Sequence, residues 1–236
     1  MLSLQSRAQS LAERVSVLRK KSDKNLLLVH EIYASIQGES SYMGFPCVFV
    51  RTTGCHLRCS YCDTEHAFFK GQEMSLKDIL LRIASYGINL VEITGGEPLL
   101  QPPTIELVDT LITQGFTALI ETSGAVSIAP LNRQAKVILD VKTPSSGEHT
   151  RNINKNLTML WPGCEVKFVI GTREDYEYAK SMCQKYNLFQ TTQVLFSPIM
   201  AKLNPSVLGD WILADTIPAR LQIQLHRILY GEARGR

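Results

Sequence analysis

The run Leu90-Val91-Glu92-Ile93-Thr94-Gly95-Gly96-Glu97-Pro98 decides the fold. Leu90 to Thr94 is a short, β-branched stretch that reads as a strand, and the glycine pair stops it. On its N-terminal side, Ser75 is placed to cap a helix whose apolar face is Leu76, Ile79, Leu80 and Ile83, with Gly87 ending it. On the other side, Pro103 opens a helix carrying Ile105, Val108, Leu111 and Ile112, and Gly115 closes it. A strand set between two helices is the unit of a parallel sheet.

Working outward, the same kind of run recurs at Leu26–Ile36, Cys47–Thr53, Phe116–Glu121, Val137–Val141, Val166–Ile170 and Val194–Phe196. A third helical pattern spans roughly Glu174 to Tyr186, and its Glu174, Asp175, Glu177 and Lys180 read as a solvated face. Strands alternating with helices imply a parallel sheet covered by helices, either a βα barrel or a doubly wound sheet. Both architectures bind ligands at the C-terminal ends of their strands. The polar and glycine-bearing segments fall there: residues 54–64, Gly95 to Pro98, Thr122 to Gly124, and Ser197-Pro198. No internal repeat or low-complexity tract interrupts the pattern.

With 236 residues, 44% hydrophobic and 20% charged, the chain suits one substantial domain. Its net charge of +3 allows an anionic small molecule but lacks the basic stripe of a nucleic-acid binder. No run is long enough to span a membrane. Residues 1–25 read as an amphipathic helical extension and polar linker, without the apolar core of a secretory signal. The expected compartment is a reducing cytoplasm, because the six cysteines do not form a disulfide framework. Cys47, Cys164 and Cys183 read as small buried hydrophobes, and His30 and His66 as structural histidines.

Cys55, Cys59 and Cys62 lie within eight residues at the spacing C-x₃-C-x₂-C. Thiolates select soft metals, so zinc and iron–sulfur are the candidates. A structural zinc normally closes with four ligands, and here only His56 or His66 could supply the fourth. Three thiolates on a [4Fe–4S] cluster instead leave one iron open for another ligand.

Taken with Gly95-Gly96-Glu97-Pro98, this triplet resembles the radical S-adenosylmethionine (SAM) superfamily. The segments Ile36 to Ser40, Gly44 to Pro46, Phe49 to Arg51, Gly54-Cys55, Cys62 to Thr64 and Arg220 to His226 narrow the resemblance to the 7-carboxy-7-deazaguanine synthases. It covers about Val29 to the end. The resemblance implies a partial (β/α)6-type radical SAM barrel over residues 26–236, an α/β fold with a mostly parallel sheet. It implies a [4Fe–4S] cluster on Cys55, Cys59 and Cys62, with SAM as cofactor. SAM cleavage would give a 5′-deoxyadenosyl radical that takes hydrogen from 6-carboxy-5,6,7,8-tetrahydropterin, followed by ring contraction and loss of ammonia.

By position, the resemblance assigns SAM to Tyr61, Cys62, Asp63, Gly95, Gly96, Glu97, Ser123, Asp140, Val141, Lys142, Ser197, Pro198, Ile199 and Met200. It assigns the pterin to Ile36, Gln37, Gly38, Arg51 and Thr94, and Mg²⁺ to Thr64. Glu39, a polar residue at the end of an apolar strand, reads as a further substrate contact. Arg51 offers a guanidinium fork suited to a carboxylate. The resemblance departs at Asp140-Val141-Lys142, where many relatives carry Ser-Pro-Lys, and at the tail from Gly231 to Arg236. A homodimer and an electron donor such as flavodoxin or ferredoxin are also implied. Two alternatives stand beside it: an activase making a glycyl radical on a protein partner, and a structural zinc module.

Overall fold

The computed structural model describes residues 25–231, 233 and 235. The helical extension expected over residues 1–25 therefore lies outside the described residues, apart from Asn25.

Nine strands form one sheet: β1 (Leu26–Ile36), β2 (Pro46–Thr52), β3 (Gln72–Ser75), β4 (Leu90–Gly95), β5 (Thr117–Thr122), β6 (Lys136–Val141), β7 (Glu165–Ile170), β8 (Gln193–Pro198) and β9 (Arg220–Leu221). The helices are α1 (Leu76–Ala84), α2 (Pro103–Thr113), α3 (Arg173–Lys185), α4 (Leu188–Thr191), α5 (Pro205–Asp215) and α6 (Leu225–Tyr230). Strand order is β3-β1-β2-β4-β5-β6-β7-β8-β9. From β2 to β9 all neighbours are parallel, whereas β1 runs antiparallel to both β2 and β3. A doubly wound sheet reverses its strand order at a switch point. Here the parallel strands follow one another in chain order, so the sheet is wound in one direction, as in a barrel.

The period-2 alternation of strand side chains sorts the two faces. Val48, Val50, Val91, Ile93, Ala118, Ile120, Val137, Leu139, Val166, Phe168, Val194 and Phe196 pack with Ile79 and Ile83 of α1, Leu107, Val108 and Leu111 of α2, and Tyr176, Ala179 and Cys183 of α3. This is the main core. Truncating a fully buried member such as Leu107 to Ala costs about 2–5 kcal/mol. The intervening residues look the other way. They begin apolar, with Cys47, Phe49, Leu119 and Ile138 in a smaller cluster, and become polar toward the C-terminal strand ends.

The helix signals are realised. The Ser75 side chain accepts from the backbone N of Asp78 at 3.1 Å, and Pro103 occupies the first turn of α2. One expectation is corrected. Asp175 is fully buried rather than solvated, because it closes a capping box with Thr172 and accepts from the backbone N of Gly171 at 2.8 Å and of Ser145 at 2.8 Å. A second departure lies in the crossovers. Among the described residues no α-helix separates β5 from β6, and only 3-10 turns lie between β6 and β7.

Candidate active site

A cavity of about 750 Å³ opens on the polar face of the sheet. Its lining comes from the ends of β1, β2, β4, β5, β6, β7 and β8 and from the C-terminal segment, so loops distant in sequence converge on one space. The cysteine loop forms one wall. Gly54, with φ of +96°, turns the chain out of β2, and its N–H donates to Ala67 O at 2.8 Å. The Arg58 guanidinium lies 4.1 Å from the Phe68 ring centroid and donates to the carbonyls of Cys55 at 2.8 Å and Leu57 at 2.6 Å. Ser60 and Arg58 tie the loop to the turn after β6 through Ser145 O at 2.6 Å and Glu148 Oε1 at 2.7 Å.

This scaffold gathers Cys55, Cys59 and Cys62, all free thiols, with Leu57, Phe68 and Ala125 in one apolar patch. Burial, with weaker help from nearby negative charge, pushes the Cys55 thiol up to about 12; burial, partly offset by a backbone N–H, pushes Cys62 up to about 11. Thiolates form in such a patch against a cationic centre, which is what a metal cluster supplies. Among the described residues the three sulfurs do not fall in a group within 4.8 Å. Four ligand atoms around one tetrahedral zinc would put sulfurs about 3.8 Å apart. The wider arrangement and the soft, three-thiol donor set fit a polynuclear iron–sulfur cluster.

Beside the thiols, Gly95 (φ of +137°) and Gly96 bring backbone into tight contact. A Cβ on Gly96 would sit 2.1 Å from Gly54 O, and one on Gly95 would sit 2.3 Å from Thr52 O. Only glycine permits this approach, and both glycines line the cavity. Asp140 Oδ1 is buried in the same wall without a hydrogen-bond partner among the described residues. A cradle without side chains and an orphaned acceptor next to the thiol patch suit a polar cofactor carrying N–H or O–H donors, as SAM does.

Glu97 is placed differently from the expectation. It does not line the cavity; its fully buried carboxylate accepts from Leu99 N at 3.0 Å, Thr122 Oγ1 at 2.8 Å, Ser123 N at 2.8 Å and the Ser123 hydroxyl. It braces the end of β4 against the end of β5. Val141 likewise turns into the helix-side core, while Asp140 and Lys142 flanking it face the cavity. Gly38 is not a lining residue either. A Cβ there would come 2.1 Å from His226 Nδ1, so this glycine lets the C-terminal segment dock. Tyr61, Asp63, Ser123, Ser197, Pro198, Ile199 and Met200 line the cavity, as do Ile36, Gln37, Glu39, Arg51, Thr94 and Thr64.

The floor is charged. Lys167 of β7 donates to Glu39 Oε2 at 2.8 Å and to Glu121, and lies 3.6 Å from Asp140 Oδ2. Lys142 pairs with Asp140 at 2.9 Å. Burial opposes the charge of both lysines, but the carboxylates outweigh it and hold them well above the ordinary lysine range. Burial also opposes ionisation of Glu39 and Asp140, and the lysines overcome it, so both are lowered. Glu39 takes further bonds from Gln222 at 3.0 Å and Gln224 at 2.8 Å, which fasten the C-terminal segment over the cavity mouth. Glu92, Glu121 and Lys167 belong to this floor although none of the three stands among the residues expected at the site. The signal was a lone charge inside an otherwise apolar strand, on the face opposite its β-branched neighbours.

At the far wall, Arg51 donates through Nε to Glu31 Oε1 at 2.8 Å and through Nη2 to Tyr33 Oη at 2.9 Å. This leaves the Nη1 edge without a partner among the described residues. Thr64 Oγ1 donates to Asp63 Oδ1 at 2.7 Å, so an aspartate stands with the hydroxyl expected to take Mg²⁺. His30, Glu31 and His66 also bring donor atoms within 4.8 Å of one another, but the Glu31 carboxylate already carries Arg51.

Residues 49–158 match the sequence profile of the radical SAM superfamily. A 7-carboxy-7-deazaguanine synthase of Koribacter versatilis is 40% identical over 217 residues, covering 86% of this chain and 96% of that one. The synthase of the same name from Chlorobaculum tepidum is 38% identical over 213 residues, covering 89% and 97%. The crystal structure of QueE from Escherichia coli has a similar fold, with a TM-score of 0.73 at 22% identity over 93% of this chain and 100% of that chain. A three-thiol wall, a glycine cradle and a polar floor at the strand ends thus occur in a chain with near full-length relatives of one kind, and it belongs to the 7-carboxy-7-deazaguanine synthase family of radical SAM enzymes.

Proposed function

We propose that this protein converts 6-carboxy-5,6,7,8-tetrahydropterin into 7-carboxy-7-deazaguanine, the ring-contracting, ammonia-releasing step that feeds queuosine and related deazapurines. When bound, the reduced [4Fe–4S] cluster and SAM supply hydrogen-atom abstraction. Cys55, Cys59 and Cys62 would hold the cluster, and Gly95, Gly96, Ser123, Asp140, Lys142 and the segment from Ser197 to Met200 would hold SAM. The observation that carries the reading is that one cavity joins the thiol patch to a charged pocket containing Gln37, Arg51 and Thr94.

In this reading the chain's own residues bind, orient and shield. Arg51, oriented by Glu31 and Tyr33, presents its remaining N–H groups to the pterin carboxylate. Thr64 would contribute one oxygen to a bound Mg²⁺, a hard cation that suits oxygen ligands. The row of Lys167, Glu121 and Asp140 keeps polar groups fixed in a cavity from which the C-terminal segment excludes water. Glu97, Gly38 and Val141 act through the backbone they position. The protein is read as a cytoplasmic homodimer that receives electrons from flavodoxin or ferredoxin. Among the described residues no helix is long and apolar enough to cross a membrane.

The test is anaerobic turnover of the reconstituted protein with SAM, reductant, Mg²⁺ and 6-carboxytetrahydropterin, followed by mass spectrometry. Formation of 7-carboxy-7-deazaguanine, lost in Cys59→Ala and retained in Cys183→Ala, is expected. SAM cleavage that leaves the pterin intact would refute the substrate and direct attention to a protein partner.

A further inference from the structure

Six carboxylates line the cavity: Glu31, Glu39, Asp63, Glu92, Glu121 and Asp140. Among the described residues five of them sit in an ion pair, with Arg51, Lys167, Arg227, Lys167 and Lys142 respectively. Glu92 has none. It is 4% exposed, its Oε2 accepts from the Gln37 side-chain amide, and its Oε1 has no hydrogen-bond partner among the described residues. Burial, reinforced by the charge of Glu121, pushes its pKa up to about 8. An acceptor oxygen left without a partner on a cavity wall is open to a donor that a ligand brings.

The surroundings define that ligand. In the sheet register Glu92 lies between Phe49 of β2 and Leu119 of β5, both buried and apolar, and Phe49 stacks on Tyr33 with ring centroids 5.2 Å apart. Apolar neighbours on both sides are poor company for a hydrated metal ion and good walls for a flat ring. A carboxylate can accept two parallel N–H bonds from adjacent donors on such a ring. Arg51 stands on the neighbouring strand, paired with Thr94, two residues further along the same face. Strand spacing and rise place the two Cα atoms roughly 8 Å apart, so a cation and an N–H acceptor address opposite ends of one bicyclic molecule.

We propose that Glu92 binds the amino-pyrimidinone edge of the substrate, its exocyclic amino group and the adjacent ring N–H, while Arg51 holds the carboxylate at the other end. This rests on the pterin reading above and adds the residue that would make the enzyme selective for the 2-amino compound. Gln37 serves as a positioning residue that fixes the Glu92 carboxyl.

The test compares kcat/KM for 6-carboxytetrahydropterin and for its analogue with hydrogen in place of the 2-amino group, using the cluster-loaded full chain. At pH 9, where Glu92 is ionised, the wild type should favour the parent by roughly 10- to 150-fold, the worth of a hydrogen bond to a charged group. Glu92→Gln, checked for cluster absorbance, SAM binding and melting temperature, should lose parent turnover by a similar factor and turn over the analogue nearly as before. The preference then collapses. An unchanged preference in Glu92→Gln overturns the assignment. So does a wild type indifferent to the amino group, a result that needs no variant to fold. No turnover of the parent by wild type would instead overturn the functional reading itself, and the assignment with it.

Discussion

Glu97→Gln separates bracing from cofactor contact at the glycine turn. The Glu97 carboxylate takes two bonds on each oxygen, Leu99 N and the Thr122 hydroxyl on Oε1, and Ser123 N and the Ser123 hydroxyl on Oε2. An amide supplies one acceptor oxygen only. Whichever way it is turned, its NH₂ faces a backbone N–H, that of Leu99 or that of Ser123, while the hydroxyls can rotate to accept. One buried N–H left without an acceptor costs about 1–3 kcal/mol, and two surviving bonds weaken from charge-assisted to neutral, roughly 1 kcal/mol each. The expected loss is about 3–5 kcal/mol. Urea unfolding of the reduced, cluster-free protein, compared with wild type at a common slope, measures it. SAM affinity should fall as well, because Gly95, Gly96 and Ser123 shift together. A stability change below about 0.5 kcal/mol, the range of an ordinary surface substitution, would refute the bracing role. If it came with a large loss of SAM affinity, Glu97 would be a direct SAM contact.

Further consequences follow from other contacts. Gly38→Ala places a Cβ 2.1 Å from His226 Nδ1 and 2.9 Å from the His226 backbone N, so the C-terminal segment must lift; pterin turnover should drop at least tenfold while cluster absorbance stays at the wild-type level, with the factor of roughly ten set by 1.4 kcal/mol of displaced contact. Asp175→Asn leaves one acceptor oxygen where Oδ2 now serves Gly171 N and Thr172 N and Oδ1 serves Ser145 N, so its NH₂ faces at least one backbone N–H; a loss of about 2 kcal/mol in unfolding free energy is expected, the upper end for a cap. Cys183→Ala should lower stability modestly and leave reconstituted iron content unchanged, whereas Cys59→Ala should reduce iron content. Glu92, with Glu39, Glu121, Lys167, Tyr33, Cys47 and Gln37 around it, is raised from 4.5 to about 8 by burial first and by Glu121 second. The native state therefore holds a proton there that the unfolded chain releases above about pH 4.5, and the stability so gained is lost as pH rises to 8. Glu92→Gln lacks this loss, so its melting temperature relative to wild type should climb from pH 5 to pH 8; a flat difference would contradict the raised pKa.

Much of this arrangement is legible in the residues. The β-branched runs, the Ser75 cap and the two glycine-ended helices identify a parallel βα sheet, barrel or doubly wound, and Cys55, Cys59, Cys62 and Gly95-Gly96 identify its functional end; the single winding direction comes from the strand order. What escapes a one-dimensional reading are contacts between elements distant in the chain. Asp175 looks like one more charge on a polar helix, because the backbone N of Ser145, thirty residues earlier, is invisible to periodicity. Glu97 belongs to a cofactor motif by its neighbours, yet its bonds run to β5. Glu92 and Lys167 are single charges within apolar strands, where period-2 alternation gives their face but not the partners found 46 to 128 residues away. The edge strands β3 and β9 are too short and polar to announce themselves, since they gain their pairing from β1 and β8.

The most direct test of the central claim is an anaerobic crystal structure of the cluster-loaded protein with SAM and 6-carboxytetrahydropterin. The account predicts electron density for a four-iron cluster on Cys55, Cys59 and Cys62, SAM between it and Gly95-Gly96, and the pterin carboxylate on Arg51. A single zinc on the three cysteines, or a pterin lying outside the cavity, would contradict it.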